Sequence, residues 1–378
     1  MNILIVPDSF KGSLSSKEVC KSIKRGIESV ENHNITCLPF ADGGEGFSEC
    51  LSSFCNGDIL YTRCSDIYGK SMKGHIYTYE NTAIIESATA SGLQKKKDVM
   101  NATSYGTGEL IKFAVSKGFS NIILGLGGSG CCDGGAGALS ALGAVFRDIE
   151  GYEIDYPTGK DLNNIYGAGF TDIVKGINFT YACDVDNVFF GKKGAAYVFA
   201  KQKGANTEQI KELDDGLKML NAFLPRDIRE VKGAGAAGGI CGGLYSVYGG
   251  EIKSGFDILC EASSLEKKIK ESDIVITGEG KTDNQTLMGK LVYKISELCK
   301  KYNKKCIILS GDIENVKLAD KMYSLVDKNT SAQYAIENAQ KLLYEKAKIV
   351  IKDINISWSK FVTRQKGSKK GRRRILSY

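Results

Sequence analysis

Along this chain short apolar runs lead repeatedly into loops of glycine and acid, and then into helix-forming stretches. No other feature limits the fold as much. Residues 3–6 precede Pro7-Asp8-Ser9-Phe10-Lys11-Gly12-Ser13, and residues 35–38 precede Pro39-Phe40-Ala41-Asp42-Gly43-Gly44-Glu45-Gly46. Residues 121–124 run into Gly125-Leu126-Gly127-Gly128-Ser129-Gly130, residues 180–183 into Asp184-Val185-Asp186-Asn187, and residues 274–276 into Thr277-Gly278-Glu279-Gly280-Lys281-Thr282-Asp283. Residues 82–87 form a further strand candidate, ahead of Ala88-Thr89-Ala90-Ser91-Gly92. Helices are expected from the serine cap and Glu18 through about residue 30, over 104–116 and over 134–142. Strand, loop and helix in this alternation predict an α/β fold with parallel strands. Loops at the strand C-termini then face one crevice, where such folds bind ligands. Asp8, Lys11, Asp42 and Glu45 would share its rim.

The 378 residues suit two to three domains, and 42% hydrophobic with 25% charged residues is the balance of a soluble globular protein. No run of about 18 apolar residues occurs, and the N-terminal sequence lacks a signal-peptide pattern, so a cytoplasmic protein without a membrane partner is expected. Twelve cysteines are scattered without a Cys-x-x-Cys pair, and only His33 and His75 accompany them. Neither a zinc site nor a histidine-based triad is easily built from that set, which points to reduced, mostly buried thiols. Eight positive charges and no acid occupy residues 358–378, so the net +7 leaves the body at −1. The basicity belongs to a tail expected to be disordered, the one place where nucleic acid could bind.

Both Gly125-x-Gly127-x-x-Gly130 and Gly233-x-Gly235-x-x-Gly238 match the dinucleotide fingerprint. An NAD-dependent dehydrogenase also needs a strand before the glycines and an acid closing the next strand. The second match follows a polar stretch, and Asp148 and Glu150 after the first lie in a turn-like segment. Gly127, Gly128 and Ser129 fit better as an anion nest, in which successive backbone N–H groups hold phosphate. The plain alternative is close packing of a helix on a sheet. No Gly-x-x-x-x-Gly-Lys-[Ser/Thr] loop is present. Phosphoryl transfer needs a metal or cations, backbone donors, and a carboxylate for the attacking hydroxyl. Asp42, Glu45, Asp133, Asp184, Asp186, Glu279 and Asp283 are candidates for metal and base, and Lys11, Lys203, Lys281 and Lys290 for charge neutralisation. Any one of these acids alone would more often be a helix cap or a solvated turn residue.

To these segments are added Tyr105-Gly106-Thr107-Gly108-Glu109-Leu110, Asp133-Gly134-Gly135-Ala136-Gly137, Gln202-Lys203-Gly204-Ala205, Gly233 to Gly239, and Asp283 with Gln285 and Thr286. In this order, across roughly residues 1–355, the set resembles the bacterial glycerate kinase family, type 1. The resemblance implies ATP-dependent phosphorylation of D-glycerate, with 2-phosphoglycerate preferred to 3-phosphoglycerate as product. It also implies two α/β domains with the active-site cleft between them. A flavodoxin-like domain is expected from residues 1–65 plus 275–357, and an inserted α/β domain from 66–274. Cys131-Cys132 replaces a polar Thr-Asn pair usual in the family, and Lys281 stands where arginine is common.

Roles follow as expectations. Asp42, Asp184, Glu279 and Lys11 are assigned to catalysis, and Asp8, Ser9, Lys11, Gly43, Gly44, Glu45 and Asn187 to glycerate. Gly127, Gly128, Ser129, Asp133 and Lys281 are assigned to ATP, and Asp186 and Asp283 to Mg²⁺. A homodimer is left open. A competing reading makes the protein a phosphometabolite-binding regulator whose basic tail contacts nucleic acid.

Overall fold

The computed structural model describes residues 1–41, 46–170 and 174–372, with side chains through residue 355. Asp42, Gly43, Gly44 and Glu45 lie outside the described residues. The chain divides into two units, Met1–Ala41 with Ser264–Tyr378, and Asp42–Ser263.

The first unit is built on a five-stranded sheet. Its order is Lys321–Ser324, Lys305–Ser310, Ile274–Gly278, Asn2–Pro7 and Asn34–Cys37, with every neighbouring pair parallel. Numbered along the chain, that is the 2-1-3-4-5 order of flavodoxin-like folds, and its switch point lies between Asn2–Pro7 and Ile274–Gly278. These two strands are buried almost throughout, as parallel strands covered on both faces require. Ser15 and Glu18 close a capping box at the start of the helix Ser16–Glu28. Its Val19, Ile23 and Ile27 pack with Leu343, Ala347 and Val350 of the helix Ala339–Arg372. That helix runs through Arg372, although the charge run predicts an irregular tail from residue 358. Lys, Arg and Gln are good helix formers, and a segment growing from an anchored helix bears no nucleation cost.

The second unit carries a six-stranded sheet. Its order is Glu251–Lys253, Asn178–Ala182, Asn121–Gly125, Thr82–Glu86, Ser71–Tyr79 and Asp58–Ser65. The first four strands are parallel and the last two continue as an antiparallel meander. The unit boundaries fall at 41/42 and 263/264, not at 65/66 and 274/275. The reason is pairing: Asp58–Ser65 hydrogen-bonds to Ser71–Tyr79, and the Ser48 amide of the helix Phe47–Phe54 donates to Glu86 Oε1 at 2.8 Å. Among the described residues no helix is long and apolar enough to cross a membrane.

Candidate active site

In the first unit, the register Ile3↔Ile274 through Pro7↔Gly278 puts Asp8 and Glu279 immediately beyond adjacent strand ends, at the switch point. The Asp8 amide donates to the Gly278 carbonyl at 2.9 Å, which extends the pairing by one residue. Position 278 must be glycine, because a Cβ there would lie 1.8 Å from the Leu309 carbonyl oxygen.

Glu279 is 5% exposed. Its Oε1 accepts from Thr286 Oγ1 at 2.7 Å and from Thr282 Oγ1 at 3.2 Å, and its Oε2 lies 3.6 Å from Lys290 Nζ. Burial raises the Glu279 pKa, while Thr286, Lys290 and Thr282 act to lower it. Asp8 has fewer such supports. Burial pushes its carboxyl up to about 6 despite a 2.6 Å bond from the Ser9 amide, and the neighbouring Glu279 charge adds to the rise. The two carboxylates thus sit in different settings: Glu279 is held by donors, and Asp8 titrates closer to neutrality. Lys11, in the loop after Asp8, is exposed.

Asp283 Oδ1 accepts from the Gln285 amide at 2.8 Å in a local turn, and the residue is half-buried. Lys281 is exposed and reaches Glu314 Oε1 at 2.8 Å, so its charge has a partner within its own unit.

In the second unit the strand Asn121–Gly125 runs into the glycine loop, where Gly128 takes φ +72°. Leu93 N donates to the Gly128 carbonyl at 3.0 Å and Gly130 N to the Ser91 carbonyl at 2.8 Å, which pins the loop on both sides. The amides of Gly127, Gly128 and Ser129 have no acceptor among the described residues. Three adjacent N–H groups left over at a strand end are what an anion nest requires.

Asp133, assigned to nucleotide from the sequence, is completely buried. Its Oδ2 accepts from Ser104 N and Ser104 Oγ at 2.7 Å each and from Gly137 N at 3.2 Å, and its Oδ1 accepts from Gly135 N at 3.2 Å. Burial raises its pKa against the pull of Ser104 and the glycine amides. Asp133 therefore ties residue 104 to the start of the helix Ala136–Ala141 and holds the loop from within. Cys131 and Cys132 are also fully buried, and burial pushes the Cys132 thiol up to about 12, so both are neutral packing residues. Gly238, in the second fingerprint match, has φ +70°, and a Cβ there would lie 2.1 Å from the Cys131 carbonyl oxygen. That match sits on turns with no strand before it, so it packs the loop and is no dinucleotide fingerprint.

Asp184 accepts from Ser254 Oγ at 2.7 Å and from Gly255 N at 3.2 Å, at the start of the helix Gly255–Ser263. The structure thus gives a capping task to a residue assigned to catalysis. Asp186 is exposed, and Asn187 Nδ2 donates to the Lys193 carbonyl at 3.0 Å. Sequence reasoning did not see Ser104, Thr282, Thr286 or Ser254 as partners: Ser104 and Ser254 reach their acids only through long-range contacts, and Thr282 and Thr286 reach Glu279 only once the loop after Ile274–Gly278 turns back on itself.

A doubly wound sheet with carboxylates at its switch point, and a second, mixed sheet running into a glycine loop, define an α/β protein of two units. The comparisons narrow that class. The model of the glycerate kinase family matches residues 3–355. The chain is 39% identical to the "Glycerate 2-kinase" of Escherichia coli (strain K12) over 326 residues, 83% of this chain and 86% of that protein. It is 36% identical to a "Glycerate kinase" of Bacillus cereus over 378 residues, 95% of this chain and 98% of that one. The crystal structure of a putative glycerate kinase 2 from Salmonella typhimurium LT2 superposes with a TM-score of 0.82 at 34% identity, covering 95% of this chain and 99% of that chain. The chain belongs to the glycerate kinase family and is an enzyme of the glycerate kinase class.

Proposed function

We propose that this enzyme transfers the γ-phosphoryl group of ATP to the 2-hydroxyl of D-glycerate, giving 2-phosphoglycerate and ADP. The observation that carries the reading is the pairing of Asp8 and Glu279 at the switch point, beside Lys290. Phosphoryl transfer passes through a loose transition state, so a positioned carboxylate with modest basicity suffices for the attacking hydroxyl. Asp8 or Glu279 supplies it. Lys11 neutralises the glycerate carboxylate with Ser9 beside it in the loop after Asn2–Pro7, and Asp42, Gly43, Gly44, Glu45 and Asn187 remain further candidates for glycerate. The Gly127 to Ser129 nest takes the ATP phosphates. Position 2 is favoured over position 3 because a relative at 39% identity is named a glycerate 2-kinase.

Mg²⁺ fits this chemistry as a companion of the nucleotide. It keeps several waters and binds through one or two carboxylates plus phosphate oxygens. Asp186 and Asp283 are exposed or half-buried acids suited to that task. Among the described residues no group of three or more His, Cys, Asp and Glu could hold a metal by itself. The ion would neutralise charge on the phosphates, while the residues of the chain orient the acceptor.

Purified protein given Mg-ATP and D-glycerate should release ADP in a coupled assay. Its product should show a phosphorus NMR doublet, because the ester oxygen is on a CH carbon. A triplet would mean the 3-isomer, and no turnover by demonstrably folded protein would reject the activity.

A further inference from the structure

Lys203 is 3% exposed. Its ammonium donates to Ser129 Oγ at 2.9 Å and to the Cys131 carbonyl at 2.7 Å, and no carboxylate among the described residues pairs with it. Taking an ammonium out of water is costly unless an opposite charge offsets it, and here both acceptors are neutral. A buried lysine held under a glycine nest without a counter-ion is therefore placed for an anion that arrives from outside.

The chemistry of Ser129 gives the direction. A hydroxyl has one proton to donate and two lone pairs to accept with. Lys203 uses one lone pair, which leaves the Ser129 proton to be donated elsewhere, and Ser129 Oγ has no other partner among the described residues. Next to it stand the amides of Gly127, Gly128 and Ser129, also without acceptors. An ammonium bonded to the hydroxyl oxygen polarises the O–H and makes it a stronger donor.

We infer that Lys203 is a positioning residue for the nucleotide phosphates, acting through Ser129, whose hydroxyl and backbone N–H bind a phosphate oxygen. This rests on the proposed use of ATP. The ligand class it specifies is a polyphosphate, and the lysine supplies the charge that the glycine loop itself lacks. The sequence showed Lys203 only as one lysine in four; its burial under the loop singles it out.

Calorimetric titration of the full chain with tripolyphosphate, and separately with ATP at fixed Mg²⁺, tests this without turnover. Lys203→Met and Ser129→Ala should each weaken both ligands about tenfold or more. The double variant should bind about as weakly as the weaker single variant, because the two residues act in series. In steady-state kinetics the KM for ATP should rise while the KM for glycerate stays within about twofold. Lys203→Met binding both ligands within twofold of wild type, or losses that add fully in the double variant, would overturn the inference. If Lys203→Met does not fold, Ser129→Ala decides alone, and wild-type affinity in it has the same force. Wild type that binds tripolyphosphate but leaves glycerate unphosphorylated would refute the kinase activity and not the role of Lys203. Wild type that binds neither tripolyphosphate nor ATP would overturn both.

Discussion

In the first unit Asp8 and Glu279 stand at neighbouring strand ends, both raised in pKa by burial, with the Glu279 charge adding to the rise at Asp8 and Lys290 beside Glu279. In the second unit Asp133 is buried among four donors and Lys203 between two neutral acceptors, and the amides of Gly127, Gly128 and Ser129 have no acceptor among the described residues. The first region keeps titratable side chains in play, as a group that handles a proton must. The second uses Asp133 and Lys203 to fix a glycine loop, and in the proposed reaction that loop would meet the phosphates with N–H and O–H donors. In the proposed reaction, proton handling and anion holding would call on these two different architectures.

Substitutions on the carboxylate side should have the largest effect on turnover. Glu279→Gln removes the charge that Thr282, Thr286 and Lys290 support, and kcat should fall about a hundredfold or more. For Asp8 the pH profile is the sharper probe. With its pKa near 6, kcat/KM should climb as pH rises through that value while Asp8 deprotonates, and Asp8→Asn should abolish that limb. The sign for stability is opposite. A carboxyl raised from 3.8 to about 6 favours the folded state at low pH, and that advantage is lost as pH rises through the folded value. Asp8→Asn should therefore melt higher than wild type at pH 8 and show little difference at pH 4. An unchanged acid limb in the variant would remove Asp8 from the chemistry.

On the loop side, Asp133→Asn turns an amide N–H₂ or a weaker acceptor toward the donors of Ser104, Gly135 and Gly137. It should cost about 3 kcal/mol in denaturant unfolding, with activity lost in step with folding. Stability within error of wild type would show that Asp133 is not the strut described here. The smallest effect is expected at Lys281, whose charge is engaged by Glu314 at the surface. Lys281→Met should change the KM for ATP by less than about threefold.

Much of this was legible in the sequence, for identifiable reasons. The strand-loop-helix alternation predicts the parallel strands of both sheets, and Ser15 with Glu18 marks its helix start by local chemistry alone. The antiparallel strands Asp58–Ser65 and Ser71–Tyr79 are joined by a turn at Gly69 that leads into a strand and not a helix, and they alternate in exposure, so the same pattern passes over them. Through its pairing with Ser71–Tyr79 the strand Asp58–Ser65 belongs to the compact unit that begins at residue 42. Asp184 and Asp133 looked like ligand groups because they sit in loops rich in glycine or acid. Their partners, Ser254 and Ser104, are 70 and 29 residues away, and only tertiary structure brings them in. The same holds for Lys203 and Ser129, which are 74 residues apart. Asp42 and Glu45 lie outside the described residues, so their expected place on the rim stands as part of the proposal.

In the proposed reaction glycerate would bind at the loop after Asn2–Pro7 and nucleotide phosphate at the loop after Asn121–Gly125. Steady-state kinetics of Lys11→Met and Ser129→Ala, with D-glycerate and ATP varied in turn, tests that division most directly. Lys11→Met should raise the KM for glycerate about tenfold or more and leave that for ATP within about twofold, and Ser129→Ala should do the reverse. Equal effects of each variant on both substrates, or the opposite pairing, would contradict it.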